Sequence, residues 1–276
     1  QWKDIKNTLS EYYSFDTDEL YYGILPTATQ YARNAIFSGL MPDKIKSMYP
    51  QYWVDEDDDE SKNNYESELI GTQIDRFRKK YTYSYNKIFD TAAGSKLVEQ
   101  IPNLMHNDLN TIVLNFVDML SHSRTESKTI RELASDESAY RSLALSWFKH
   151  SSTIEIFKTL AEKDCKVIVT TDHGSIRVKN PIKVVGDRNT NTNLRYKVGK
   201  NLGYDRKDVF DVQRPEQIEL PSLNVSSKFI FANYNDFFAY PNNFNHYVNY
   251  YKDTFQHGGI SMEEMMIPIA VMSPKK

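Results

Sequence analysis

Two short apolar runs constrain the fold of this 276-residue chain more than any other feature. Residues 111–117 (TIVLNFV) and 166–171 (KVIVTT) are rich in β-branched side chains and almost continuously apolar. Such runs are typical of strands that are covered on both faces. A helical pattern over residues 136–163 separates them. This alternation predicts an α/β fold with a mainly parallel central sheet, helices on both faces and a smaller antiparallel element.

The bulk properties indicate one large globular domain over residues 1–276. Hydrophobic residues make up 40% of the chain and charged residues 26%, and we find no internal repeat or linker. A net charge of -3 gives no basic surface for sequence-independent duplex binding. The lone Cys165 excludes an internal disulfide. With no apolar run long enough to span a bilayer, these features predict a cytoplasmic protein, and the abrupt polar start indicates a fragment of a longer one.

Local patterns predict several elements in the first 80 residues. Thr27 to Gly39 is predicted as a helix, with a hydroxyl near its start and a glycine at its end. Residues 14–23 are predicted as a loop and residues 61–80 as a second amphipathic helix. The acidic run at 55–60 (DEDDDE) is interpreted as a solvated loop.

An acid and a histidine follow each of the two apolar runs. Asp118 and His122 follow the first, Asp172 and His173 follow the second, and His257 lies in a glycine-rich segment, QHGG. An isolated Asp at a strand end is more often a turn residue, and a lone His is more often a surface or core residue. Together, at strand ends or glycine-rich turns, the five side chains are the oxygen and imidazole ligands that zinc and similar ions prefer.

Three motifs carry a family resemblance over nearly the whole chain. Residues 25–33 (LPTATQYAR), 171–174 (TDHG) and 257–261 (HGGIS) resemble the PglZ-type branch of the alkaline phosphatase superfamily. The resemblance is greatest to effector domains of response regulators for type IX secretion. It implies a site with two zinc ions. One ion would be held by Asp118, His122 and His257, and the other by Asp172, His173 and the hydroxyl of Thr27.

The same resemblance makes Thr27 the predicted nucleophile. A threonine at a helix start also places backbone N–H groups beside an incoming phosphate. Thr29 is the rival hydroxyl, and a plain helix cap is the alternative role for Thr27. Arg33 is the predicted phosphate clamp, against the alternative of a surface arginine. Arg177 and Lys179 are weaker candidates for the same role.

The implied activity is hydrolysis of phosphodiesters, in nucleotides or oligonucleotides. Sulfatases of the superfamily need a Cys or Ser nucleophile, so threonine disfavours that activity. Upstream receiver and helical domains of the same protein are the expected partners, and homodimerisation is left open. Two alternatives remain at this stage. One is a phosphomonoesterase, and the other is a non-catalytic regulatory or dimerisation module that retains a metal site.

The superfamily pattern also implies a ligand that this sequence lacks. In the family the first strand ends in an Asp that completes one metal site, but Asp4, Asp16 and Asp18 do not follow an apolar β-branched run. We therefore expect an apolar strand ending in Asp within about ten residues before Gln1. One of the two zinc sites would be incomplete without it.

Overall fold

The computed structural model of the chain describes residues 1–56, 58, 60–187, 190–222, 224 and 226–275, with the side chains of residues 122 and 124–126 outside the described part. The helices are α1 (Trp2–Leu9), α2 (Thr29–Ser38), α3 (Pro42–Met48), α4 (Glu66–Arg76), α5 (Thr91–Leu104), α6 (Phe116–Glu126), α7 (Lys128–Leu133), α8 (Glu137–His150), α9 (Ser152–Ala161), α10 (Phe244–Tyr251) and α11 (Met262–Met265). The strands are β1 (Tyr13–Tyr22), β2 (Tyr83–Ile88), β3 (Leu109–Leu114), β4 (Val167–Thr170), β5 (Ile176–Arg177), β6 (Asn180–Lys183), β7 (Tyr196–Gly199), β8 (Val209–Val212), β9 (Lys228–Ala232), β10 (Asp236–Ala239), β11 (Phe255–Gln256) and β12 (Met266–Pro274).

The chain divides into two compact units, each built from segments that are distant in the sequence. The first unit comprises residues 1–20, 80–171 and 268–276, and the second comprises residues 21–79 and 172–267. The prediction of one domain over the whole chain stays a prediction.

The first unit contains a sheet with the strand order β1-β12-β4, in which β12 runs antiparallel to β4. Its apolar core includes Leu9 from α1, Phe148 from α8, Ile154 from α9 and Met272 from β12. Strands β2 and β3 pair in parallel and are joined through α5, which is the connection that a parallel pair requires. Buried Leu97 and Ile101 of α5 pack with Ile156 of α9, so this βαβ segment shares a core with the helical part of the unit.

The second unit contains the antiparallel sheet β7-β9-β8 and two further strand pairs, β6 with β10 in parallel and β5 with β11 antiparallel. Rings from different elements meet in its core: Tyr31 of α2 lies edge-on to Tyr196 of β7 and Phe229 of β9, with ring centroids 6.0 and 6.2 Å apart. This packing fixes α2 against the sheet.

The α/β class is confirmed, and so is the predicted antiparallel element. The predicted helix at Thr27–Gly39 is present as α2, two residues later at its start. It ends at Gly39 in the left-handed conformation (φ 62°), which a glycine adopts without strain. The predicted helix at 61–80 is shorter and forms α4.

Two local predictions are wrong. The predicted loop at 14–23 forms part of β1 as far as Tyr22, and the acidic residues of this strand point outward: Asp16 pairs with Lys166 and Asp18 pairs with Lys6. Charges on an exposed strand face suppress the apolar signal from which strands are recognised. The acidic run is not wholly solvated either. Glu56 accepts a hydrogen bond from the Tyr196 hydroxyl (2.7 Å), and burial raises the pKa of its carboxyl. Residues 57 and 59 of this run lie outside the described residues.

The two apolar runs end earlier than the sequence predicts. The first run forms β3 only to Leu114, so Asp118 lies in the first turn of α6, where a carboxylate is favoured by the helix dipole. The second run forms β4, and Asp172 lies two residues beyond it. The predicted burial on both faces is wrong for β4, where Ile168 is 63% exposed. Among the described strands, β4 pairs with β12 alone. The ligand expected before Gln1 stays a prediction.

The described helices are too short for a bilayer crossing. The longest, α5 and α8, have 14 residues each, whereas a spanning helix needs about 20 apolar ones.

Candidate active site

The start of α2 presents a hydroxyl beside a histidine in the second unit. Thr29 is the first residue of this helix and its side chain is partly exposed. Its Oγ1 lies 3.0 Å from Nε2 of His173, which is hydrogen-bonding distance. The N–H groups of a helix's first turn have no partners within the helix and favour anions. A hydroxyl, an imidazole and an anion-binding helix end are therefore brought together here.

The hydrogen bond of the second ring nitrogen, Nδ1, determines the tautomer of His173. Nδ1 lies 2.9 Å from the carbonyl oxygen of Gly174, which can only accept a hydrogen bond, so Nδ1 carries the proton. Nε2 then has a lone pair and accepts the hydrogen bond from Thr29. Gly174 makes this turn feasible, because a Cβ at this position would lie 1.9 Å from the carbonyl oxygen of Glu263.

His257 is oriented in the same manner. Its Nδ1 lies 3.0 Å from the carbonyl oxygen of Thr27, so this nitrogen also carries the proton and Nε2 has the lone pair. The ring stacks on His173, with centroids 3.9 Å apart and an angle of 16° between the planes. Gly258 has φ 122°, and a Cβ there would come within 2.7 Å of the Tyr196 ring. The glycines of the HGG motif thus permit the close approach that positions His257.

Thr27, the predicted nucleophile, is 0% exposed. Its Oγ1 accepts a hydrogen bond from the Gly258 N–H (3.0 Å) and donates one to the Gly259 carbonyl (2.9 Å). These contacts join the start of α2 to the turn that carries His257. The hydroxyl of Thr27 thus makes structural hydrogen bonds in this state, while that of Thr29 contacts the imidazole. The catalytic role of Thr27 stays a prediction.

The predicted phosphate clamp also has a protein partner. Arg33 forms an ion pair with Glu66, whose side chain is fully buried, and this pair connects α2 to α4. An arginine has five N–H donors, so the ion pair leaves its predicted role untested. Of the weaker candidates, Arg177 is paired with Asp253, with 3.2 Å between Nε and Oδ1.

The remaining predicted ligands belong to the first unit. Asp118 is exposed in the first turn of α6, and the side chain of His122 lies outside the described residues. The ligand set Asp118, His122 and His257 therefore stays a prediction from the sequence.

The side chains around His173 fit a zinc ion. Tetrahedral zinc with bonds of about 2.0 Å places its ligand atoms about 3.3 Å apart. Two distances meet at Nε2 of His173: 3.0 Å to Oγ1 of Thr29 and 3.7 Å to Oδ2 of Asp172. A histidine whose Nδ1–H is held by a carbonyl is also the usual form of a metal ligand. Among the described residues, however, no group of three or more His, Cys, Asp or Glu side chains is arranged to hold a metal ion.

Comparison with known proteins identifies the family. A model described as the BREX system PglZ alkaline phosphatase-like domain matches residues 1–272. The chain belongs to the PglZ family. No curated protein matches it. The PglZ assignment agrees with the resemblance in the three motifs, whereas the predicted relation to response-regulator effector domains stays a prediction.

Solved structures show the same fold. Phosphonoacetate hydrolase from Sinorhizobium meliloti 1021 in complex with phosphonoformate is 11% identical, with a TM-score of 0.58 over 96% of this chain and 83% of its own. The same enzyme in complex with phosphonoacetate is 10% identical, with a TM-score of 0.56 and the same coverage. At these identities the likeness shows the fold alone. This PglZ domain therefore has the fold of alkaline phosphatase-like hydrolases.

Sequence reasoning missed one residue of this region altogether. Glu264 is fully buried and hydrogen-bonded to the turn after His257. The only signal in the sequence is the spacing of Ser261 and Glu264, which is that of a helix capping box. That pattern predicts a helix start and gives no sign of the contact with Gly259.

Proposed function

We propose that this PglZ domain hydrolyses phosphodiesters and that the hydroxyl of Thr29, in preference to that of Thr27, is the nucleophile. The observation that carries the proposal is the 3.0 Å contact between Oγ1 of Thr29 and Nε2 of His173 at the start of α2. A nucleophilic hydroxyl needs a partner that lowers the cost of losing its proton, and Thr29 has one. Thr27 is buried between Gly258 and Gly259, where a substrate could reach it only if these contacts broke.

The chemistry assigned to the chain's own residues is simple. The Thr29 oxygen loses its proton and attacks phosphorus, the bond to one ester oxygen breaks, and that oxygen takes up a proton and leaves as an alcohol. Water then cleaves the bond between phosphorus and the Thr29 oxygen, which regenerates the hydroxyl and releases a phosphomonoester. The N-terminal end of α2 stabilises the negative charge of the phosphoryl oxygens throughout.

Zinc is the proposed metal, and Asp172, His173 and Thr29 would hold it. The lone pair on Nε2 of His173 would then bind zinc in place of its hydrogen bond with Thr29. When bound, zinc lowers the pKa of the hydroxyl and neutralises the developing negative charge. The carbonyl oxygen of Gly174 keeps the proton of His173 on Nδ1, so that Nε2 is presented to the site. The second ion, held by Asp118, His122 and His257, is proposed on the sequence resemblance alone.

A diester is favoured over a monoester by charge. The guanidinium of Arg33, the predicted clamp, is already paired with the carboxylate of Glu66. A phosphodiester carries one negative charge, whereas a monoester at neutral pH carries almost two, and the second demands more positive charge from the protein. Nucleotides and oligonucleotides are the proposed natural diesters, following the family resemblance that the three motifs carry together.

The experiment compares Thr29→Val with Thr27→Val, both close in shape to the parent, in hydrolysis of bis-p-nitrophenyl phosphate with added zinc. We expect Thr29→Val to abolish turnover and to leave the urea unfolding midpoint nearly unchanged. Thr27→Val strands the buried N–H of Gly258 and the carbonyl of Gly259, so we expect about 1–3 kcal/mol of lost stability with measurable residual turnover. Thr29→Ser should retain part of the activity. A folded but inactive Thr27→Val variant beside an active Thr29→Val variant would overturn the assignment.

The alternatives give different results in the same assay. A phosphomonoesterase would prefer p-nitrophenyl phosphate to the diester. A non-catalytic module would show no turnover of either substrate with zinc, and the parent would match Thr29→Val.

We also propose that the domain is the effector of a response regulator for type IX secretion, controlled by upstream receiver and helical domains. Support comes from the motif resemblance only. Turnover by the full-length protein should change when beryllofluoride, a phosphate analogue, is bound to the receiver. Equal turnover in both states would contradict this role.

A further inference from the structure

A buried ion pair in the second unit, Arg195 with Glu264, is linked by hydrogen bonds to the turns that carry His173 and His257. Arg195 and Glu264 are each 0% exposed and form two contacts, Nη2 to Oε2 at 2.6 Å and Nε to Oε1 at 3.1 Å. The guanidinium also donates to the carbonyl oxygens of Tyr234 (2.8 Å), Asn233 (3.3 Å) and Asp236. Its position is therefore determined from several directions.

The carboxylate of Glu264 is bound to the turn that follows His257. Oε1 accepts a hydrogen bond from the Gly259 N–H (2.9 Å), and Oε2 accepts one from the Ser261 hydroxyl (2.7 Å). The Gly259 carbonyl in turn accepts from Thr27, whose own carbonyl contacts Nδ1 of His257. Three consecutive hydrogen bonds therefore connect Glu264 to the ring of His257.

The backbone of the same residue holds the other histidine. The carbonyl oxygen of Glu264 accepts a hydrogen bond from the Gly174 N–H at 2.9 Å, and Gly174 directly follows His173 and accepts from its Nδ1. One residue is thus bonded to both turns that set the histidine tautomers.

Both turns need a glycine for this contact. A Cβ at Gly259 would lie 2.8 Å from Nη2 of Arg195 and 2.6 Å from the Ala232 carbonyl, and a Cβ at Gly174 would overlap the Glu263 carbonyl. Stability alone does not account for the charged pair, because apolar residues of similar volume often replace a buried ion pair without loss. An apolar pair could not bind the Gly259 N–H and the Ser261 hydroxyl.

We propose that the Arg195–Glu264 pair is a positioning device that holds His173 and His257 in the Nδ1–H form, with Nε2 of each presented to the reaction. This inference rests on the proposed function for its catalytic consequence. The positioning itself is independent of activity and can be measured in the protein without added metal.

The decisive variant is Glu264→Gln, which keeps the shape and removes the charge. In ¹⁵N NMR spectra of the histidine rings, the parent should show both residues mainly as the Nδ1–H tautomer. In Glu264→Gln we expect a measurable population of the other tautomer for His257 and a smaller one for His173. In the diesterase assay kcat should fall about 10- to 100-fold with KM nearly unchanged, as for residues that orient metal ligands.

A matched control separates positioning from general destabilisation. Ile45 is fully buried on α3 and contacts neither turn in the described hydrogen bonds, so Ile45→Val or Ile45→Ala can be chosen to equal the stability loss of Glu264→Gln. The control should leave both tautomers and kcat as in the parent. Ser261→Ala, which removes one of the hydrogen bonds to the Glu264 carboxylate together with the cap on the Glu264 N–H, should give the same tautomer change at lower amplitude.

Unchanged tautomers in folded Glu264→Gln, or equal changes in the Ile45 control, would overturn the proposal. Global unfolding of both Glu264→Gln and Ser261→Ala would also count against it, since the pair would then be a requirement for folding. If the parent hydrolyses no ester at all, the proposed function fails, while the NMR result still decides whether the pair positions the histidines.

Discussion

Two Asp–His pairs, each following a strand, are alike in the sequence but lie in different local structures. An Asp and a His follow β3 as Asp118 and His122, and another Asp and His follow β4 as Asp172 and His173. The first pair is spaced i, i+4 and lies on α6, with Asp118 exposed. The second pair is adjacent and lies in a turn, where His173 is bonded through both ring nitrogens.

The difference shows how far the position of a site's side chain depends on contacts with residues from other segments. A helix places two side chains on one face by its own period, and nothing more is needed for that register. A turn has no such period. The position of His173 depends on Gly174, on the carbonyl of Glu264 and on Thr29, which come from three separate segments. We therefore expect the position of His173 to be sensitive to substitution in each of these segments.

The largest effect is expected from replacing the two carboxylates that are predicted to bind zinc. Asp172→Asn and Asp118→Asn are isosteric changes in the two motifs, and each removes a carboxylate that the sequence predicts as a zinc ligand. In a protein that includes the Asp expected before Gln1, we expect the parent to bind about two zinc ions and each variant to lose one, with turnover reduced by orders of magnitude. Elemental analysis and the diesterase assay check this. Full zinc content in Asp118→Asn would restrict metal binding to the turn motif, and full content in Asp172→Asn would reject the site proposed here.

A smaller effect is expected from the turn itself. Gly174→Ala places a Cβ 1.9 Å from the Glu263 carbonyl, so the backbone must move and His173 must move with it. We expect a loss of about 2 kcal/mol or more in the free energy of unfolding, measured in urea, together with reduced turnover. Gly203→Ala is the control, because its Cβ would meet only Val185 at 3.4 Å. Equal stability of the two variants would show that the turn adapts without cost.

The last effect is a pH dependence of stability that comes from the buried surroundings of Lys197 in the second unit. Burial lowers the pKa of Lys197 from its ordinary value of 10.5 to about 7, although its Nζ donates to the Asn191 carbonyl at 2.7 Å. Between these values the unfolded chain binds the proton and the folded chain does not, so stability should rise with pH from about 7 to about 10.5. For one proton the rise is at most about 1.4 kcal/mol per pH unit.

Lys197→Met should remove this rise in unfolding curves collected between pH 6 and 10. Lys128→Met is its exposed counterpart in the first unit, with a side chain 90% accessible, and should keep the pH dependence of the parent. The same slope in both variants would show that Lys197 is charged in the folded protein over this range.

The sequence by itself determined the α/β class, the helix α2 with its glycine end, and the two places where acids and histidines follow strands. These features depend on local patterns: β-branched runs, the helical period and the residues that end a helix. The membership in the PglZ family also follows from local motifs, since the segments that carry the resemblance are contiguous.

Only the tertiary structure decided which hydroxyl contacts the imidazole and which carboxylate holds the histidines. Thr27 and Thr29 are equivalent as letters, but Thr27 bonds to Gly259, 232 residues away, while Thr29 contacts His173, 144 residues away. Glu264 and Arg195 are 69 residues apart and carry no pattern that pairs them. Hydrogen bonds between distant segments depend on how the tertiary fold brings those segments together. No local pattern of the sequence indicates which segments will meet.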